Sequence, residues 1–176
     1  FSQNQRLRQE NTMNEEIKFS LSSDVELSLV TSAGVFTPNT TTNLLIDAVK
    51  GAISKRSSVL DLGCGTGVVG IALHLQDLVK EPLNASDLSK ESVLCSRENF
   101  ERYNCTAEAH QGSLFDPWVD RKFDVIVDDI SGIAQRVAEI SPWFQGVPCD
   151  TGNDGVDLVV DIINNASKYM EDGGCL

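Results

Sequence analysis

A short apolar stretch, Ser58 to Leu62, runs directly into Gly63-Cys-Gly-Thr-Gly67, and a helical pattern begins at Val68. Strand, glycine turn and helix in that order open a βα unit, and this feature restricts the fold more than any other. Glycines at alternate positions let the backbone turn with positive φ and let a ligand approach the main chain closely. The free N–H groups at the start of the following helix attract a polar or anionic group.

The rest of the chain repeats the alternation. Leu83 to Asp87 reads as a second strand, Ser89 caps a helix reaching about Tyr103, and Glu91 sits where the helix dipole favours an acid. Ala107 to Gln111 reads as a third strand and Phe123 to Val127 as a fourth, apolar enough to be buried on both faces. A helix follows over about Gly132 to Ile140, then an irregular loop from Ser141 to Gly155 carrying Trp143 and Phe144. Val159, Ile162, Ile163, Ala166 and Met170 recur at helical spacing, which predicts a helix over Asp157 to Met170. Gly173-Gly174 stops it, and Cys175-Leu176 reads as the start of a fifth strand. Upstream, Ile17 to Leu21 and Val25 to Val30 alternate around Ser22-Ser23-Asp24, a hairpin pattern. The helix near Asn43 is expected to take its cap from Thr41 or Thr42, with Leu44, Leu45, Ala48 and Val49 on one face. The expectation is an α/β fold with a parallel central sheet, cut off after the start of its fifth strand. Residues 1–33 form a polar segment and hairpin, and residues 34–176 a ligand-binding domain that is incomplete at its C-terminal end.

Composition closes off other classes. No run of about 18 uninterrupted apolar residues exists among the 176, so no helical span is expected. The polar first 16 residues lack the apolar core of a signal peptide. Cys64, Cys95, Cys105, Cys149 and Cys175 are scattered without a C-x-x-C pair, which points to a reducing, cytoplasmic setting. His74 and His110 lack partners at ligand spacing, so no metal is expected. Fourteen basic against 26 acidic residues give a net charge of −12, which predicts that nucleic acid is an improbable partner.

Two cofactors use such a turn. Gly65-Thr-Gly67-Val-Val-Gly70 satisfies the dinucleotide pattern G-x-G-x-x-G. Asp87, ending the second strand, can accept both hydroxyls of a ribose, which an NAD site would also require. Asp61 discriminates, because an acid inside the first strand repels a pyrophosphate and attracts a cation. The ligand that combines an ammonium, a sulfonium and an adenosine is S-adenosylmethionine.

VLDLGCGTGVVGIAL resembles motif I of the class I S-adenosylmethionine-dependent methyltransferases, and NASDLSKESVLCSRENFERYN resembles their second strand and helix, with Asn99 in its usual late-helix place. GVFTPNTTTNLL and VPCDTGNDGVDLVVDIINNASKYMEDGGCL are similar to flanking segments of the small-methyltransferase group, which includes the HemK-like glutamine methyltransferases of release factors. The resemblance covers residues 34 to 176 and implies a Rossmann-like methyltransferase fold and S-adenosylmethionine as cofactor. It assigns Asp61, Gly63, Cys64, Gly65, Gly67, Asp87, Leu88, Ser113, Leu114 and Asp129 to the cofactor site. Ser113 stands where many members carry an adenine-binding Asp. Members also carry Asn-Pro-Pro-Tyr after the fourth strand, whereas this chain reads Asp128-Asp129-Ile130-Ser131, with Asp129 on the Asn position. Asp129 is therefore the candidate catalytic residue, accepting a hydrogen bond from an amine or hydroxyl and helping remove its proton. Thr37, Pro38, Thr42 and Ser131 are candidates for the substrate side or lid. The implied activity is methyl transfer to a nitrogen or oxygen of a protein side chain or small molecule. The alternatives are a non-catalytic module that keeps the cofactor pocket, motivated by the replaced motif, and an NAD-dependent oxidoreductase.

Overall fold

A computed structural model describes residues 15–141 and 151–176. Trp143 and Phe144 lie outside the described residues, as does nearly all of the polar N-terminal segment. Two strands, β1 (Glu15–Ser20) and β2 (Glu26–Thr31), form an antiparallel hairpin in the register Ile17 to Leu29 and Phe19 to Leu27. Helix α1 (Thr40–Ala52) leads to β3 (Val59–Leu62), α2 (Val68–His74), β4 (Leu83–Asp87), α3 (Lys90–Arg102) and β5 (Ala107–Gln111). Next come β6 (Phe123–Asp128), α4 (Gln135–Ile140), α5 (Asp157–Asn165) and β7 (Met170–Cys175).

Five strands make one parallel sheet in the order β5-β4-β3-β6-β7, so the chain starts in the middle and winds outward twice. Strand alternation divides the core. Val59, Val125 and Val127 pack with Leu83, Ile71 and Phe100 on one side, where the hairpin contributes Phe19, Leu27 and Leu29. Leu60, Leu62 and Ile126 pack on the other side with Phe115, Trp118 and Ile162. The reversal of winding at β3 leaves a crevice at the carboxyl ends of β3, β4 and β6, where open α/β sheets bind their ligands.

One side chain ties the hairpin to the sheet. Asn99 on α3 is fully buried; its Nδ2 donates to the carbonyls of Val30 and Thr66 at 2.9 Å each, and its Oδ1 accepts from the Val30 amide at 2.7 Å. Tyr103 repeats the device one turn later, its hydroxyl accepting from the Ser28 amide at 2.7 Å.

The structure corrects several boundaries. Asn39, not Thr41 or Thr42, caps α1; Thr42 is the reciprocating residue of a capping box, its Oγ1 accepting from the Asn39 amide at 3.2 Å. The buried face of α1 is Thr42, Ile46 and Val49, while Leu44 is 65% exposed. Helix α4 starts at Gln135 rather than Gly132. Helix α5 ends at Asn165 and passes through one 3-10 turn, Ala166–Lys168, so Met170 belongs to β7. Pairing of Met170 with Phe123, beside the stacked rings of Phe115 and Tyr169 at 4.3 Å, overrides the helical spacing there. The fifth strand thus begins five residues before Cys175, and Gly173 (φ +80°) bulges out between the two registered pairs.

Candidate functional site

The glycine turn is held by the neighbouring strand, because the Gly63 and Cys64 amides both donate to the Ser86 carbonyl, at 2.8 and 3.1 Å. Gly63, Gly65 and Gly67 all have positive φ, +71°, +52° and +77°. Their surroundings differ. A Cβ at Gly63 would meet Ile130 at 2.9 Å and one at Gly67 would meet the Phe100 ring at 2.7 Å, so both are packed positions. A Cβ at Gly65 would meet nothing within 4 Å. That open space belongs to a cavity of about 580 Å³, a size suited to a nucleoside-bearing ligand.

Asp87 ends β4 at the cavity wall. Its Oδ2 accepts from the Gly65 amide at 2.9 Å and its Oδ1 from the Ser89 amide at 2.8 Å, which fixes the carboxylate and leaves each oxygen a further lone pair. Burial still raises its pKa, against those two donors. Leu88, next along the chain, is 58% exposed and lines the same cavity, as do Ser113 and Leu114 from the segment after β5. Leu114 adopts φ +45°, and its carbonyl accepts from the Ser86 hydroxyl at 3.2 Å.

The far wall is acidic. Burial, followed by the charge of Asp128, raises Asp129 to about 6; burial raises Asp128 as well, although its Oδ1 accepts from the Ile130 amide at 3.0 Å. Asp61 lies behind the turn, fully buried, and neither carboxyl oxygen has a well-formed hydrogen-bond partner. Burial first and the Asp129 charge second raise it to about 8, with the Gly70 amide partly offsetting them. No lysine, arginine or histidine is among the described residues that line the cavity.

Most of the sequence candidates meet at this one place. Gly63, Cys64, Gly65, Asp87, Leu88, Ser113, Leu114 and Asp129 line the cavity, and so do Pro38, Thr42 and Ser131. Asp61 and Gly67 lie behind its surface, and Thr37 is not among the lining residues. Ser131 Oγ is buried without a hydrogen-bond partner. The Cys64 thiol is buried and pushed well up by that burial, a packed group rather than a nucleophile. The sequence reading missed Phe36, Ile133 and Leu158, which supply apolar lining. Leu158 carried no distinguishing signal inside an amphipathic helix, whereas Phe36 stood next to the candidate pair Thr37-Pro38 and was within reach of the argument. His110 packs edge-on against Trp118 at 5.1 Å, outside the cavity.

A parallel sheet of this winding, with a glycine turn and an acid at its switch point, defines the Rossmann-like methyltransferase class of fold. Residues 26–129 match the methyltransferase small domain family, and the chain belongs to that family. It is 28% identical over 158 residues to the release factor glutamine methyltransferase of Geobacter sulfurreducens, covering 85% of this chain and 54% of the relative. It is 30% identical over 128 residues to the ribosomal protein uL3 glutamine methyltransferase of Francisella tularensis, covering 68% and 40%. The chain spans about half the length of the release factor methyltransferases it matches. Among solved structures, the ribosomal protein L11 methylase of Lactobacillus delbrueckii superposes with a TM-score of 0.60 at 21% identity, over 89% of this chain and 76% of that one. The Thermus thermophilus 16S rRNA N2 G1207 methyltransferase, solved with AdoMet and guanosine, superposes with a TM-score of 0.65 at 18% identity, over 93% and 41%.

These neighbours correct the expectation drawn from charge. The net charge of −12 had set nucleic acid aside as a partner, yet the relatives act on ribosomal proteins or release factors and the Thermus neighbour acts on rRNA. The physical reason is that net charge sums over a whole surface. This fold makes up 41% of the Thermus chain, so the charge that meets a phosphate backbone has room to lie elsewhere in such a protein. Among the described residues, no helix is long and apolar enough to cross a membrane.

Proposed function

We propose that the chain is the S-adenosylmethionine-binding and methyl-transferring part of a methyltransferase whose acceptor atom is a nitrogen or oxygen. The observation that carries this reading is the cavity over the Gly65 opening, which Asp87 and Asp129 line and to which no cationic side chain among the described residues contributes. A pyrophosphate would lie against Asp87 with Asp61 and Asp129 close by and no counter-charge, whereas a cationic sulfonium and ammonium are stabilised there. The residues therefore fit the cofactor that the resemblance implied, and they disfavour NAD.

When bound, S-adenosylmethionine supplies a methyl group already activated by its sulfonium. The chain's own residues have the simpler tasks of binding, orientation and proton removal, and orientation alone contributes several kcal/mol. Asp87 holds the ribose hydroxyls through its two remaining lone pairs, and its own position is locked by the Gly65 and Ser89 amides. Leu88 and Leu114 offer apolar surface to the adenine, and the Ser113 hydroxyl meets its polar edge. Gly63, Cys64 and Gly65 form the floor; Gly65 keeps a side chain out of the ligand's way, while Gly67 lets the turn pack against Phe100 behind it. Asp61, behind the turn, keeps its proton while the site is empty and gains its negative charge only against a bound cation, which lowers its pKa. Asp129 accepts the N–H or O–H of the acceptor and takes its proton, which a carboxylate near pH 6 can do at neutral pH. Pro38, Thr42 and Ser131, with Thr37 beside them, border the acceptor side. Residues 34–176 serve as this domain, with the hairpin of Glu15–Ser20 and Glu26–Thr31 packed on it. A reducing, cytoplasmic setting suits Cys64, Cys95, Cys105 and Cys175, none of which is in a disulfide.

The test is calorimetric titration of the full chain with S-adenosylhomocysteine and with NAD. Binding of the former and silence from the latter are expected, and NAD binding alone would overturn the proposal. Labelled methyl transfer to proteins and to RNA of a cell extract, compared between wild type and Asp129→Ala, then separates an enzyme from a cofactor-holding module. Only an enzyme transfers a methyl group and loses that transfer with Asp129.

A further inference from the structure

At the opposite end of the sheet from the cavity, three chemically different donors converge from separate parts of the chain. His74 is the last residue of α2, Glu81 lies in the connection entering β4, and Cys105 lies in the connection entering β5. One donor atom from each lies within 4.8 Å of the other two. His74 Nδ1 and a Glu81 carboxylate oxygen are 3.2 Å apart. We propose that His74, Glu81 and Cys105 form a binding site for a single zinc ion, separate from the methyl-transfer cavity.

Three arguments carry it. The donor set is one imidazole nitrogen, one carboxylate oxygen and one thiolate sulfur, which suits a borderline-soft divalent ion such as zinc rather than magnesium or calcium. The spacing is right, since tetrahedral zinc with bonds of about 2.0–2.3 Å puts its ligand atoms roughly 3.3–3.8 Å apart. His74 Nδ1 and Glu81 are already at that separation, and no pair of donors has more than about 1 Å to close. Two of the three are also anchored by backbone contacts. The Thr106 amide donates to Glu81 Oε1 at 3.3 Å, and the Cys105 amide donates to the Phe100 carbonyl at 2.9 Å just after Asn104 turns the chain at φ +53°. Cys105 comes from the buried side, while the side chains of His74 and Glu81 are 22% and 33% exposed, so an ion can enter from solvent and keep a water as its fourth ligand. On binding, the sulfur–zinc bond replaces the S–H bond and the proton leaves to solvent.

Competition of the full chain against a chromophoric zinc chelator tests the site, with cobalt(II) as a spectroscopic stand-in. One equivalent of zinc is expected to bind, and cobalt is expected to give a thiolate-to-metal absorption band. Cys105→Ser should abolish that band, and His74→Gln, a change at a partly exposed position, should weaken zinc binding by at least about tenfold. Control replacements of Cys64 and Cys175 by serine should leave both readouts unchanged. Absence of stoichiometric binding, or binding that survives Cys105→Ser or His74→Gln, overturns the assignment. If Cys105→Ser does not fold, the His74→Gln result decides alone.

Discussion

Alanine at Gly65 and alanine at Gly67 should damage the protein in different ways, although the two glycines are two residues apart and share a left-handed backbone. At Gly67 (φ +77°) the new Cβ would sit 2.7 and 2.8 Å from the Phe100 ring and 3.2 Å from Ser96 Cβ. Phe100 is 2% exposed and has no free space to retreat into. A left-handed non-glycine residue costs about 1–2 kcal/mol, and forcing a methyl into a packed core costs about 1–3 kcal/mol more. The sum, about 2–5 kcal/mol, is a large part of the ~5–15 kcal/mol by which domains are stable. At Gly65 (φ +52°) only the backbone term applies, because a Cβ there meets nothing within 4 Å. Its methyl instead enters the space the proposed ligand would fill, while the amide that anchors Asp87 is kept. Gly65→Ala should therefore fold, with a urea midpoint shifted clearly less far than that of Gly67→Ala. Its affinity for S-adenosylhomocysteine by calorimetry should fall about tenfold or more, the equivalent of ~1.4 kcal/mol. Unchanged affinity in Gly65→Ala would refute the turn as the ligand's floor, and equal midpoints would refute the role assigned to Phe100.

Three further outcomes follow from the same geometry. Asp61 titrates at about 8 when folded against 3.8 as a free side chain, so the folded state holds the proton more tightly and wild-type stability falls as pH rises between those values. Asp61→Asn removes that dependence; its advantage over wild type in urea denaturation should be near zero at pH 4 and grow by up to ~1.4 kcal/mol per pH unit toward pH 8. A constant difference would show that the carboxyl is not the group responsible. Methyl transfer, if Asp129 must be ionised, should fall as pH drops through about 6, and Asp129→Asn should lose that inflection along with the activity; a surviving inflection belongs to another group. Asn99→Ala leaves the Val30 amide and the carbonyls of Val30 and Thr66 unpaired, at about 1–3 kcal/mol for each buried group left without a partner. The variant should lose several kcal/mol in denaturation, and hydrogen exchange should quicken first in β2; protection of the Val30 amide at wild-type level would contradict the contact.

How much of this was legible depended on whether the signal was local. β4 and β5 have the bounds the sequence indicated, and Ser89 caps α3 as read, because apolar runs and a cap are decided within a few residues. The glycine turn was legible for the same reason, and it located most of the cavity. What failed depended on distant partners. Helix α5 looks five residues longer than it is, because nothing near Met170 announces that it pairs with Phe123. Asn39 was overlooked beside a threonine cluster that offered Thr41 and Thr42 as plausible caps, and only backbone geometry ranks them. Asn99 could be placed on its helix from the resemblance, but its bonds to Val30 join residues 69 apart. Charge misled because a total hides its distribution.

That distribution has a testable consequence within one strand. Asp124, at the start of β6, is gathered into a network with Lys80 at 2.9 Å and with the Ser58 amide and hydroxyl at 2.8 and 3.1 Å, and it is held down at about 2, chiefly by the Ser58 amide. Asp128, at the end of the same strand, and Asp129 and Asp61 beside it are pushed upward by burial, which no neighbouring cation offsets among the described residues. The fold thus satisfies an acid at the closed end of its sheet and leaves acids strained at the open end, the pattern expected where charge is kept for a ligand rather than for stability. The two ends should respond with opposite signs at pH 8. Asp124→Asn should lower the urea midpoint, since it weakens bonds made to the ionised form, and that loss should shrink as pH falls toward 2. Asp61→Asn should raise the midpoint and weaken binding of a cationic ligand. If both substitutions destabilise the ligand-free protein, Asp61 is a structural acid and the argument for a cation-seeking cavity fails with it.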